Sequence, residues 1–130
     1  MSVLALDYGR ARTGVAVSDP TGLVARPLCV VERAATEAGI ARLVELVREE
    51  GVERVVVGLP LTLRGEYGEQ AQETQRFVES LRSALDVPVE SFDERFTTDL
   101  AEQTGATAPQ DALAAAHLLT SYLAWSSRAR

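Results

Sequence analysis

A run of β-branched residues in the middle of the chain constrains the fold more than any other stretch. Val55-Val56-Val57 stands between Arg54 and Gly58 with no polar residue inside it. A continuous run of this kind is typical of a strand buried on both faces of a sheet, because a strand with one wet face alternates apolar and polar residues. Both faces of the sheet therefore need a cover, and 130 residues are enough to close one such core.

Three strand patterns precede the first helical pattern. The apolar run 3–6 ends on Asp7 and breaks at Gly9, and further runs follow at residues 13–18 and 28–31. An entry into the third strand from Leu23-Val24 across Arg26-Pro27 stays open. The short spacings between these runs favour an antiparallel meander. We therefore expect the first strand at the centre of the sheet, beside the fourth strand at residues 54–58.

Helices and strands then alternate to the end of the chain. The predicted elements are a helix capped by Thr36 and ending before Gly51, the strand at 54–58, a helix with apolar residues repeating from Ala71 to Leu85, a strand at 87–92, a short helix from Thr97 or Thr98 to Gly105, and a last helix from Thr107 through Leu123. This order predicts one α/β domain over residues 1–130. Its five-stranded mixed sheet has three antiparallel strands followed by parallel ones, with helices on both faces.

Acidic residues follow the strands that end at one edge of this sheet. Asp7 follows the first strand, Asp93 and Glu94 follow the fifth, and Asp111 lies in the first turns of the last helix. Ligands of open α/β sheets bind beyond the carboxyl ends of the strands. Asp7 as a turn cap, or Asp111 as a partner of the helix dipole, would be structural alternatives.

A cation is the economical explanation for three carboxylates that converge on one place. Close like charges raise one another's pKa and destabilise the fold unless a cation lies between them. Carboxylate oxygens select Mg²⁺ or Mn²⁺, and two such ions about 3.5–4 Å apart can activate water and stabilise a leaving oxygen. We predict Asp7 as the bridging ligand, with Glu94 and Asp111 holding one ion each. Asp93 could take the place of Glu94. Adjacent strand residues point to opposite faces, and the sequence does not show which of the two points inward.

The charge balance limits how the chain can bind a polyanion. It carries 19 acidic and 13 basic residues, a formal charge of −6, and every basic residue is an arginine. The overall field repels nucleic acid, so a phosphate-binding role needs arginines gathered locally, as Arg10 and Arg12 are beside Asp7. The single cysteine, Cys29, allows no disulfide within the chain, and no apolar run is long enough to cross a membrane. We therefore expect a cytoplasmic protein with no membrane partner.

Four motifs in order resemble those of the YqgF family. They are Leu6-Asp7-Tyr8-Gly9 with GVAVSDP at 14–20, VVGLPL at 56–61, DERFTT at 93–98 and DALAA at 111–115. The match covers nearly the whole chain. The resemblance implies an RNase H-like fold related to Holliday-junction resolvases, and a nuclease that matures the 5′ end of pre-16S ribosomal RNA.

The resemblance also implies roles for individual residues. Asp7, the pair Asp93 and Glu94, and Asp111 would form the acidic site, and Arg95, Thr97 and Thr98 would position phosphate or brace the carboxylates. Family members usually carry a basic stretch where this chain has the uncharged residues 104–108. Substrate grip would then rely on Arg10, Arg12, Arg64 and Arg95, with Tyr8 stacking on substrate, or on a second subunit of a homodimer.

These observations predict a metal-dependent nuclease that hydrolyses phosphodiester bonds, with RNA favoured as substrate. Resolution of branched DNA is the alternative within the same class of enzyme. From other classes, a non-catalytic RNA-binding ribosome-assembly factor would keep the acids as a relic. An actin-like nucleotide binder would also place Asp7 and Gly9 in a phosphate loop, although such proteins need two lobes.

Overall fold

The computed structural model describes residues 1–61, 64–94 and 110–128. The elements are, in order, β1 (Val3–Asp7), β2 (Arg12–Ser18), β3 (Ala25–Glu32), α1 (Glu37–Glu50), β4 (Arg54–Leu59), α2 (Glu69–Ala84), β5 (Val89–Asp93) and α3 (Gln110–Arg128). The predicted succession of strands and helices is confirmed for all of these. The predicted short helix between Thr97 and Gly105, and the Thr107 start of the last helix, lie outside the described residues.

The five strands form one mixed sheet in the order β3-β2-β1-β4-β5. β1 pairs antiparallel with β2 and parallel with β4, and β5 continues the parallel part. The prediction that β1 is central and lies beside β4 is confirmed. β3 is longer than the predicted 28–31, because its pairing with β2 continues past a register shift at Val15 and Ala16 as far as Ala25.

Alternate residues of the strands point into two separate apolar layers. In β1, Leu4 and Leu6 pack with residues of α1 and α2, whereas Val3 and Ala5 pack with residues of α3. All four side chains are at most 3% exposed, so both faces of the central strand are covered. The helix cover on both faces that the Val55-Val56-Val57 run predicted is confirmed.

Two local signals in the sequence set the limits of α1. The Thr36 side chain accepts a hydrogen bond from the backbone N–H of Gly39 at 3.2 Å, which satisfies a donor that the first turn leaves free. Gly51 ends the helix with φ of 62°, a left-handed conformation that costs glycine little. No helix in the described parts of the chain is long and apolar enough to span a bilayer.

Candidate active site

Asp7 lies between two glycines of the neighbouring strands. It ends β1 opposite Gly14 of β2, and Gly58 of β4 follows Val57, the partner of Leu6. Asp7 continues the alternation of Val3 and Ala5, so its side chain points to the α3 face of the sheet. The two glycines leave open space on that face, on either side of the carboxylate.

The space above Gly58 is filled by Glu94. A Cβ atom placed on Gly58 would lie 2.6 Å from Glu94 Oε1 and 3.1 Å from Leu118 Cδ2. Glu94 follows β5 two residues after Phe92, which packs on the α3 face, so the pleat of β5 directs Glu94 to the same face as Asp7. The sequence left open whether Asp93 or Glu94 reaches Asp7. The structure brings Glu94 to Asp7, and the side chain of Asp93 points to the opposite face of the sheet.

The space above Gly14 is filled by the backbone of α3. A Cβ atom on Gly14 would overlap the carbonyl group of Asp111 and the backbone nitrogen of Ala112. The missing side chain thus lets the first turn of α3 lie directly on β2, next to Asp7. In this way the two glycines bring the two other acidic segments to the end of β1.

Asp7 and Glu94 are hydrogen-bonded to each other through their side chains. Burial, followed by the charge of Asp7 and this hydrogen bond, raises the pKa of Glu94 to about 7. Burial also raises the pKa of Asp7, and Asp111 adds to this effect while the hydrogen bond from Glu94 opposes it. Below about pH 7 the two carboxyl groups therefore share one proton, which Glu94 carries and donates to Asp7.

Asp111 lies close enough to Asp7 to raise its pKa, but its carboxylate is paired elsewhere. Arg12 Nε lies 3.4 Å from Asp111 Oδ2, and both side chains are largely exposed. Arg12, which we predicted to contact substrate, is therefore occupied by one of the predicted metal ligands. An exposed pair of this kind is worth about 0–1 kcal/mol, so the pairing is easily exchanged.

The donor set suits a hard divalent cation. Two partly buried carboxyl groups that are hydrogen-bonded to each other have the oxygen ligands that Mg²⁺ and Mn²⁺ prefer, and a cation would replace the proton between them. Over residues 1–61, 64–94 and 110–128, no three His, Cys, Asp or Glu side chains are already gathered into a cation site. Asp111 would have to turn from Arg12 to Asp7 to complete one. The three side chains thus have the right chemistry for a divalent cation. That Asp7, Glu94 and Asp111 bind one stays a prediction.

A shallow cavity of about 200 Å³ opens onto the acid pair, lined by Asp7, Glu94, Ala114 and Leu118. A larger cavity, of about 560 Å³, lies at the opposite end of the sheet beside Arg54 and Tyr122. There Arg54 Nη1 donates to Glu90 and Tyr122, and the Tyr122 hydroxyl donates to Glu90, whereas the buried Arg54 Nε has no hydrogen-bond partner in the described part of the chain. Chemistry rather than size therefore selects the smaller cavity as the candidate active site.

The other predicted contact residues fall into two groups. Tyr8 and Arg10 follow Asp7 directly and bind Glu73 of α2, and Arg64 is exposed on the segment between β4 and α2. Arg95, Thr97 and Thr98 lie outside the described residues. Partial burial and the charge of Glu73 raise the pKa of Tyr8, so its hydroxyl stays protonated and donates.

Sequence reasoning missed Gly14 and Glu73. A glycine inside a strand pattern is a known signal for close approach of another backbone, and this signal was available for Gly14. Glu73 is one of several glutamates on an amphipathic helix, and nothing in the local sequence sets it apart.

The sequence model of the RuvX family, described as a Holliday junction resolvase, matches residues 1–125. The chain belongs to the RuvX family. This confirms the resemblance to RuvX/YqgF proteins that the four motifs indicate. A protein of Chloroflexus aurantiacus, named a pre-16S rRNA nuclease, is 55% identical over 101 residues, which are 78% of this chain and 66% of that relative. A protein of Desulforudis audaxviator with the same name is 41% identical over 95% of this chain and 94% of its own length.

Solved structures confirm the RNase H-like, RuvC-type fold of this RuvX member. Thermus thermophilus RuvC in complex with a Holliday junction aligns with a TM-score of 0.66 and 20% identity, covering 99% of this chain and 96% of that one. The fowlpox virus Holliday junction resolvase aligns with a TM-score of 0.55 and 14% identity, covering 96% and 99%. At these identities the likeness concerns the fold alone.

Proposed function

We propose that this RuvX protein is a metal-dependent nuclease that hydrolyses phosphodiester bonds in the 5′-end maturation of pre-16S ribosomal RNA. The observation that carries the proposal is the partly buried, hydrogen-bonded Asp7–Glu94 pair at the carboxyl end of the central strand. Two acids that share one proton at the mouth of a cavity are costly as structure, and a cation relieves that cost. The names of the relatives in Chloroflexus aurantiacus and Desulforudis audaxviator support an RNA substrate.

Asp7, Glu94 and Asp111 would hold Mg²⁺ or Mn²⁺. When bound, such an ion supplies an activated water and stabilises charge on the phosphate oxygens. Glu94 would lose its proton on becoming a ligand. Asp111 would leave its ion pair with Arg12 and turn toward the ion. Arg12 is then free to contact a phosphate next to the acids. Ala114 and Leu118 form the apolar side of the cavity.

A single-atom change in Asp7 tests the proposal. Asp7→Asn keeps the size of the side chain but removes the charge, so we expect cleavage of a pre-16S rRNA fragment to fall by at least about 100-fold in Mn²⁺ with the thermal midpoint preserved. Asp86→Asn, the same change at an exposed position, is the matched control and should cleave at the parent rate. A well-folded Asp7→Asn protein that cleaves as fast as the parent would refute the assignment.

Branched DNA is the second candidate substrate, favoured by the alignment with RuvC bound to a Holliday junction. Resolution of a junction needs two symmetric cuts and therefore two sites, so it predicts a homodimer. Cleavage of a four-way junction and of the rRNA fragment should be measured side by side at one enzyme concentration. Faster cleavage of the RNA supports rRNA maturation and a cytoplasmic place of action, and paired cuts in the junction support resolution.

A further inference from the structure

Arg10 and Glu73 form an ion pair across the rim of the sheet. Arg10 Nη2 donates to Glu73 Oε1 at 2.6 Å, and Arg10 Nε donates to the same oxygen at 3.1 Å. The Arg10 side chain is 80% exposed, whereas that of Glu73 is 23% exposed. The guanidinium group thus lies in solvent on a glutamate whose side chain is mostly covered by the protein.

The carboxylate is itself held by the core. Glu73 Oε2 accepts a hydrogen bond from the Tyr8 hydroxyl at 3.3 Å, and the Tyr8 ring stacks on Phe77 with 4.4 Å between ring centroids. Phe77 is 2% exposed and belongs to the apolar layer under α1 and α2. A chain of contacts therefore runs from the buried ring of Phe77 through Tyr8 and Glu73 to Arg10.

The geometry of the pair leaves one edge of Arg10 unused by Glu73. A guanidinium group has five N–H donors in a rigid fork, and Glu73 takes the edge formed by Nε and Nη2. The other edge, formed by Nη1 and the second Nη2 hydrogen, points away from Glu73. Such an edge matches two oxygens of a phosphate group.

Arg10 lies close to the acid pair along the chain. It follows Asp7 by three positions, so their Cα atoms are at most about 11 Å apart. Arg10, Tyr8 and Glu73 line a cavity of about 440 Å³ on the α2 side of the rim, together with Glu69, whereas the acid pair faces α3. A nucleic-acid strand that crosses the end of β1 would meet the acids with one phosphate and Arg10 with a neighbouring one.

We propose that Glu73 is a positioning residue that holds Arg10 with its free edge toward a backbone phosphate beside the one that is cut. The inference rests on the proposed nuclease function and adds a strand-binding subsite to it. Because Glu73 fixes the guanidinium group of Arg10 before nucleic acid binds, the entropy cost of ordering this long, exposed side chain is not incurred during binding. The subsite contacts the backbone only, so it grips any sequence equally.

The opposite interpretation is that Glu73 repels the strand by its charge. A double-mutant cycle separates the two. We expect Arg10→Ala and Glu73→Ala each to raise KM for a single-stranded RNA oligonucleotide by about fivefold, with kcat changed less than twofold. In the Arg10→Ala background, Glu73→Ala should then have no further unfavourable effect on KM. Glu79→Gln, on the same helix and paired with Arg82, is the matched control and should keep the parent KM.

The salt dependence gives a readout that a loss of stability would not change. Each single variant should lower the slope of log KM against log salt by about 0.7–1, the value for one lost phosphate contact. A lower KM in Glu73→Ala, in either background, would overturn the inference in favour of repulsion. An unchanged KM and salt slope in Glu73→Ala would overturn it as well.

The same cycle in the Asp7→Asn protein separates this inference from the nuclease proposal. There the Kd of the fluorescently labelled oligonucleotide replaces KM, so no cleavage is needed. Weaker binding in both single variants supports the subsite even if the parent protein proves unable to cleave. Binding that is equally tight in all four proteins refutes the subsite even if the parent protein cleaves.

Discussion

Replacing Glu94 by glutamine should remove a loss of stability that the metal-free parent protein shows as pH rises. The folded protein raises the pKa of Glu94 from 4.5 to about 7. Between these values the folded state binds more protons than the unfolded state, so the free energy of unfolding falls as pH rises. The contribution of the protonated pair is complete below about pH 4.5 and is lost above about pH 7.

The size of this effect follows from the pKa shift. A shift of this size corresponds to an upper limit of about 3 kcal/mol, at about 1.4 kcal/mol per pKa unit. Solvent reaches part of the Glu94 side chain, so screening reduces this to about 1–2 kcal/mol. Glutamine has the same shape and donates a hydrogen bond to Asp7 at any pH. At pH 8 Glu94→Gln should therefore be about 1–2 kcal/mol more stable than the parent, or roughly 5 °C in thermal midpoint.

Urea unfolding followed by circular dichroism in EDTA, at pH 5 and pH 8, measures the difference between parent and variant at each pH. Using the difference removes the contribution of other titrating groups. Glu79→Gln, at an exposed position of α2, is the control and should differ from the parent equally at both pH values. Adding Mn²⁺ at pH 8 should stabilise the parent more than Glu94→Gln, because the cation binds a site that the amide has neutralised. Parallel stability curves for parent and Glu94→Gln between pH 5 and pH 8 would refute the shared proton.

The two glycines beside Asp7 give further predictions. Gly58→Ala places a methyl group 2.6 Å from Glu94 Oε1, the far end of a flexible side chain, so stability should change by less than about 1 kcal/mol while nuclease activity falls at least about tenfold. Full activity in Gly58→Ala would mean that the position of Glu94 is irrelevant to cleavage. Gly14→Ala forces a side chain against the Asp111 backbone, which cannot move alone, so we expect a loss of about 1–3 kcal/mol in urea unfolding as well as lost activity. Unchanged stability in Gly14→Ala would show that α3 does not need its close approach to β2.

The architecture followed from sequence patterns because each pattern reports burial locally. The Val55-Val56-Val57 run required cover on both faces, and the short spacings of the first three strands required a meander. Those predictions needed no knowledge of distant contacts. The start of β3 stayed open, because Arg26 and Pro27 interrupt the apolar pattern, and the observed pairing passes through them.

The site was less predictable because it depends on directions that the sequence does not encode. Which of Asp93 and Glu94 points to Asp7 depends on the phase of β5, and only the packing of Phe92 against α3 fixes that phase. The pairing of Asp111 with Arg12 depends on side-chain conformation within an exposed turn. Arg10 and Glu73 are 63 residues apart, and their contact exists only because α2 crosses the end of β1.

Crystals soaked in Mn²⁺ and measured at the manganese absorption edge would show whether the acid pair binds a cation. We expect an anomalous peak bound by the carboxylates of Asp7 and Glu94, with Asp111 turned away from Arg12 toward the ion. Two carboxyl groups that remain hydrogen-bonded to each other at saturating Mn²⁺ and pH 8, with no anomalous peak between them, would contradict a metal site at this pair.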